Sequence, residues 1–181
     1  MKSFFATSVL LAGAALAAPT VSNDSCVAKS SRITDWTIED FDFHASYIFT
    51  TPSHQNSWGY VNFTLKNEVV DYVAQCSAAS NWLSDFYYGQ VIYSCEVPER
   101  AGQTTFTFNR PTGEVQVNQT WSCPDQGVYY MAEGGADLDL DCTEETWENP
   151  DWEVGQIYST RFIACEPVTV SAPIETIRGI A

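Results

Sequence analysis

The two-residue period of the apolar side chains constrains this chain more than any other feature. Val61, Phe63 and Leu65 alternate with Asn62 and Thr64, while Val115 and Val117 alternate with Gln116, Asn118 and Thr120. Successive strand residues point to opposite faces, so each such segment buries one face and wets the other. Amphipathic helical periodicity is almost absent. The pattern predicts an all-β fold, a single antiparallel β-barrel or sandwich, with strands at 36–38, 41–50, 59–65, 70–76, 90–95, 104–109, 114–123, 128–133, 136–142 and 156–165. The phase slips between Ile38 and Phe41, which requires a bulge or bend. Asn109-Arg110-Pro111-Thr112-Gly113 joins two of these strands as a hairpin, its proline early in the turn and its glycine at the left-handed end.

Residues 1–17 read as a secretory signal: Lys2, an apolar run from Val9 to Leu16, and Ala15-Leu16-Ala17 as the cleavage site. The barrel domain is expected over 18–170 and a flexible tail over 171–181, where Pro173 stands without sustained patterning. An exported, soluble chain with an even set of six cysteines, Cys26, Cys76, Cys95, Cys123, Cys142 and Cys165, is expected to be disulfide-stabilised. Six cysteines permit fifteen pairings. Short loop closure favours Cys76–Cys95 and Cys123–Cys142, leaving Cys26 to Cys165. Sequons stand at Asn23, Asn62 and Asn118, and alternation puts Asn62 and Asn118 on polar strand faces, where a glycan is carried.

Eight Lys and Arg against 23 Asp and Glu give a net charge of −15, which excludes nucleic acid and anionic membranes as partners. From Pro111 to Thr160 there are eleven acidic residues and no Lys or Arg. Asp137, Asp139 and Asp141 share one face of an expected strand and are weak calcium candidates, since the turn glycine and terminal glutamate of a calcium loop are missing. No cofactor is expected. G-x-S-x-G and H-E-x-x-H are both absent, and His44 and His54 read as a solvated strand residue and a loop residue. A glycosidase needs two carboxylates across a cleft; Glu96, Glu114 and Glu153 are candidates for that role but carry no distinguishing context.

Aromatic residues cluster at Trp58-Gly59-Tyr60, at Trp82 with Phe86-Tyr87-Tyr88, and at Trp147 with Trp152. The stretch from Ser77 to Gly89 mixes four rings with polar residues between two cysteines. Trp82, Asp85, Phe86, Tyr87 and Tyr88 are therefore the expected partner-binding residues, and no catalytic residue is expected. A carbohydrate-binding module is the alternative if Trp82, Tyr87 and Tyr88 stand exposed in one plane.

Several landmarks occur in order: Ser25-Cys26, Asp35-Trp36-Thr37-Ile38-Glu39-Asp40-Phe41, Gln55-Asn56-Ser57-Trp58-Gly59-Tyr60, Gln75-Cys76-Ser77-Ala78, Tyr93-Ser94-Cys95, and the hairpin from Thr105-Phe106-Thr107-Phe108 to Val117. On these the chain resembles the Alternaria major-allergen-like family of small secreted fungal β-barrels. The resemblance implies a compact antiparallel barrel, a Cys76–Cys95 bridge, secretion, and a non-enzymatic effector or elicitor role at the host interface. It implies as partner a host apoplastic defence protein or a small phenolic ligand. Cys26 matches the cysteine that joins two subunits in the allergen. Cys165 offers Cys26 a partner within this chain, so a covalent dimer is not expected. These landmarks place no counterpart for the acidic segment from Asp137 to Trp152.

Overall fold

A computed structural model describes residues 24–81 and 87–181. Ten strands follow a short helix α1 (Cys26–Ser30): β1 (Asp35–Thr51), β2 (His54–Lys66), β3 (Val73–Ser80), β4 (Tyr93–Ser94), β5 (Thr104–Asn109), β6 (Glu114–Cys123), β7 (Val128–Asp137), β8 (Cys142–Glu148), β9 (Ser159–Cys165) and β10 (Val168–Ile180). The signal segment and Asn23 lie outside the described residues.

Eight strands run in the order β3-β2-β1-β10-β7-β6-β5-β4, each paired antiparallel with its neighbour. The two ends meet where Gln75 and Glu96 exchange backbone hydrogen bonds of 2.9 and 2.7 Å, beside the Cys76–Cys95 disulfide. The sheet therefore nearly closes into a barrel, as the alternation predicts. Outside this path, β9 pairs with the second half of β1, and β8 pairs with β9.

β1 changes partner along its length because its phase slips. Its first half pairs with β10 up to Ile38, and the register then shifts before Phe41. Asp40 holds a positive φ of 53° at that shift, the bulge expected from sequence. The bulge keeps Trp36, Ile38, Phe41, Phe43, Ala45 and Tyr47 all inward. In the β5–β6 hairpin Gly113 has φ 77°, and its N–H donates to Asn109 O at 2.9 Å. A β-carbon there would approach Leu138 O at 2.4 Å, so both conformation and space demand glycine.

The barrel interior is filled by side chains. Phe41 lies 5.0 Å from Phe108 and 5.5 Å from Phe63, and Phe63 meets Phe106 edge-on at 4.9 Å. One polar chain crosses this interior: Asn67 Nδ2 donates to Gln119 Oε1 at 2.7 Å and Gln119 Nε2 to Thr104 Oγ1 at 3.3 Å. Burying these amides is tolerable because each finds a partner.

Four expectations are corrected. The disulfides are Cys26–Cys123, Cys76–Cys95 and Cys142–Cys165, so only the second matches the pairing chosen on loop length. Separations of 19 and 23 residues differ in closure entropy by only about 0.2 kcal/mol. Strand pairing decides instead: Cys142 lies directly opposite Cys165, and α1 packs Cys26 against the end of β6, where Ser30 Oγ accepts from Trp121 Nε1 at 2.9 Å. Secondly, 171–181 is no loose tail, because β10 pairs with β1 through Pro173 and with β7 from Ile174 onward. Thirdly, the strand expected at 136–142 stops at Asp137; beyond it the Leu138 N–H still donates to Gly113 O at 2.9 Å, and Leu138 is buried while Asp139 is exposed, so the alternation outlasts the strand. Fourthly, the 90–95 strand shrinks to Tyr93–Ser94.

Candidate functional site

Of the loop expected to carry recognition, Trp82, Asp85 and Phe86 lie outside the described residues. Tyr87 is part of the core. It is 4% exposed, its ring packs on Phe43, Tyr93 and Phe108, and its hydroxyl donates to Ala78 O at 2.8 Å. Burial, with Tyr93 beside it, pushes the Tyr87 phenol well above its ordinary range. Tyr88 is partly exposed. The cleft between them has a volume of about 10 Å³, room for one water and no ligand. With Tyr87 inside, the coplanar exposed trio required of a carbohydrate module at this loop does not form.

The aspartates at 137, 139 and 141 follow one another along extended chain, and among the described residues no three His, Cys, Asp or Glu gather closely enough to hold a metal ion. Asp139 instead borders a groove of about 480 Å³ together with Arg110 and Phe43; the Arg110 guanidinium stands 5.5 Å above that ring. Glu96 follows β4, Glu114 opens β6 and Glu153 lies between β8 and β9, so these candidate carboxylates sit in three separate parts of the chain. Among the described residues no Asp or Glu is buried.

Three exposed rings are gathered elsewhere, on the outer face of β2, β1, β9 and β8, while Tyr129 stands exposed on β7. Residues directly opposite in a ladder share a face. One row across the four strands is Trp58, Ser46, Phe162, Glu145; the next is Asn56, Ile48, Thr160, Trp147; the row on the other side is Tyr60, His44, Ala164, Thr143. Trp58, Phe162 and Trp147 are 49%, 45% and 51% exposed. Behind Trp58 and Phe162 the reverse of the sheet is buried at Ser57, Gly59, Ala45, Tyr47 and Ile163, which fixes these two side chains in place, whereas both faces of β8 around Trp147 are exposed.

Polar groups are held among these rings. His44 stacks on Tyr60 with centroids 5.0 Å apart and planes 13° from parallel, and Trp58 tilts against Tyr60 at 5.1 Å. His44 Nδ1 lies 2.7 Å from Asp42 Oδ1. Partial burial and the Asp42 charge raise the Tyr60 phenol. Asn62, on the same strand face two residues beyond Tyr60, is exposed, and so is Asn118 on β6, in agreement with the alternation. On the far strands, Arg161 pairs with Glu144 at 2.7 Å, which holds the Glu144 carboxyl below its ordinary range.

A second concavity, about 600 Å³, opens at the barrel end between 69–72 and 98–101. Trp121 and the Cys26 to Pro124 region close it below. Tyr72 O–H donates to Ala101 O at 2.6 Å and ties its two walls together.

Sequence reasoning missed the aromatic face, although a signal for it existed. If Val61 and Phe63 point inward, then Tyr60 and Trp58 share the outward parity of Asn62. What the sequence did not carry was the pairing of β9 with β1, which brings Phe162 and Trp147 beside them.

Residues 38–165 match the family model for Alternaria alternata allergen 1. No match was found among curated proteins or among solved structures.

Proposed function

The chain belongs to the Alternaria alternata allergen 1 family, and from that premise we propose that it is a secreted, non-enzymatic effector or elicitor-type protein that acts at a host interface by binding. Family membership and the barrel fold fit a protein of this kind. The observation that carries the reading is the group of exposed rings on two adjacent rows of one sheet face, Trp58 with Phe162 and then Trp147, with the core packed behind β1, β2 and β9. Rigid aromatic anchors surrounded by polar groups are what a protein partner's hot spot engages. The aromatic core packed among the described residues turns the reading toward the outer surface. Cys26 is joined to Cys123 within the chain, and no cysteine is free among the described residues.

The groove of about 600 Å³ favours a second reading, a small phenolic ligand. Its volume suits a drug-sized molecule, and Tyr72 and Pro98 offer apolar surface.

The test is binding of the mature protein to purified apoplastic defence proteins, to flavonoids and to wall polysaccharides, repeated with Trp58→Ala. A defence protein bound by the wild type and lost on Trp58→Ala supports the leading reading. A flavonoid bound regardless of Trp58 moves the function to the groove. A wall polysaccharide bound with neither of the others overturns both.

A further inference from the structure

The sheet edge beside the aromatic face is open. Among the described residues β8 pairs with β9 alone. Asn149 N–H donates to Tyr158 O at 2.8 Å and Glu166 N–H to Asp141 O at 2.9 Å, and these two bonds fix the phase of the ladder. Bonded and non-bonded positions alternate along an antiparallel pair. The backbones of Thr143, Glu145 and Trp147 therefore turn toward β9. Those of Glu144, Thr146 and Glu148 turn outward, where no strand among the described residues meets them. Such an edge is a template for another strand.

The chemistry of the edge selects its occupant. β8 carries Glu144, Glu145 and Glu148 in seven residues and no basic side chain, and the same holds for the whole of 111–160. Two copies of this edge would repel, so a homotypic pair is disfavoured. An uncharged glycan gains nothing from three carboxylates. A cationic strand gains on both counts, backbone pairing and charge. Side-chain parity adds a pattern: Glu144, Thr146 and Glu148 share one face, while Glu145 and Trp147 share the other with Phe162.

We propose that the free edge of β8 takes up an extended cationic segment of a partner protein by strand addition, its basic side chains facing Glu144 and Glu148 and its alternate apolar ones facing Trp147. This rests on the reading of the protein as a partner-binding molecule and names the chemistry of that partner. The Cys142–Cys165 disulfide and the Arg161–Glu144 pair hold the β8–β9 hairpin in its extended form before anything binds.

The experiment uses two labelled nonapeptides, Lys-Val and Glu-Val alternating, titrated by fluorescence anisotropy against the whole protein at low and high salt. Thr146→Pro removes an outward N–H and no bond to β9, so the ladder survives while strand addition is blocked. Thr146→Lys, which keeps the backbone and places a cation between Glu144 and Glu148, serves as a second variant if proline disturbs folding. The expected result is binding of the Lys-Val peptide only, weakened by salt and about ten-fold or more by either variant. Equal binding by correctly folded variants, equal binding of both peptides, or no binding of the Lys-Val peptide by the wild type would each overturn the proposal. A defence protein that depends on Trp58 but is indifferent to both Thr146 variants overturns this inference and leaves the proposed function standing. Lys-Val binding that depends on Thr146, with no defence protein bound, does the reverse.

Discussion

Glu145 on β8 lies directly opposite Phe162 on β9, on the outer face of the sheet. A carboxylate thus stands beside an exposed ring in the same row as Trp58. That juxtaposition joins the charge excess of the chain to the outward aromatics of this face.

Removing a ring from that face should separate binding from stability. Phe162→Ala and Trp58→Ala delete half-exposed side chains, so unfolding in urea should shift by about 1 kcal/mol or less. Affinity for a protein partner should fall by about thirty-fold, as truncating a hot-spot anchor does. Paired urea melts and binding isotherms check both.

A core ring should behave in the opposite way. Phe41 is fully buried against Phe63 and Phe108. Phe41→Ala should cost about 3–5 kcal/mol through lost burial and a residual cavity. A urea midpoint within error of wild type would mean that the barrel is not packed as described.

Tyr87 gives the stability a pH limit. Its phenol is raised by burial above the 10.0 at which it would ionise when exposed. Below that pH both folded and unfolded chains keep the proton; above it only the unfolded chain loses it, so stability falls as pH rises past 10. Tyr87→Phe should flatten this fall. It should also cost about 1 kcal/mol at neutral pH, because Ala78 O loses its 2.8 Å donor. Tyr60, Tyr72 and Tyr93 are raised in the same direction, so part of the slope should remain. Urea titrations from pH 8 to 11 measure it.

The disulfides should be recovered from proteolysis under non-reducing conditions as fragments linking Cys26 to Cys123, Cys76 to Cys95 and Cys142 to Cys165. Replacing both Cys142 and Cys165 by serine should speed amide exchange across 142–165 while the β5–β6 hairpin stays protected. The lost cross-link should weaken the chain by about 2–4 kcal/mol.

The barrel was largely legible because alternation is a local signal. The bulge before Phe41, the β5–β6 hairpin and the inward set Val61, Phe63 and Leu65 all follow from neighbours in sequence. What escaped depends on remote pairing. β9 joins β1 across more than a hundred residues, and nothing local in Phe162 or Trp147 announces that they will flank Trp58. The disulfides of Cys123 and Cys142 escaped for the same reason, their closure entropies being too close to rank. β10 was hidden because Pro173 sits in its course and Ile174, Ile177 and Ile180 recur every third residue, masking the two-residue period. Tyr87 looked like a recognition ring because a loop between cysteines leaves no phase to read. Its inward turn is set by a positive φ of 62°, which only the packed structure reveals.

The most direct test of the account is amide hydrogen exchange on the intact protein, alone and saturated with an apoplastic defence protein found in the binding survey. The account predicts new protection on β8, β9 and the facing halves of β1 and β2, centred on Trp58, Phe162 and Trp147. Protection confined to 69–72 and 98–101 at the barrel end, with the aromatic face unchanged, would contradict it.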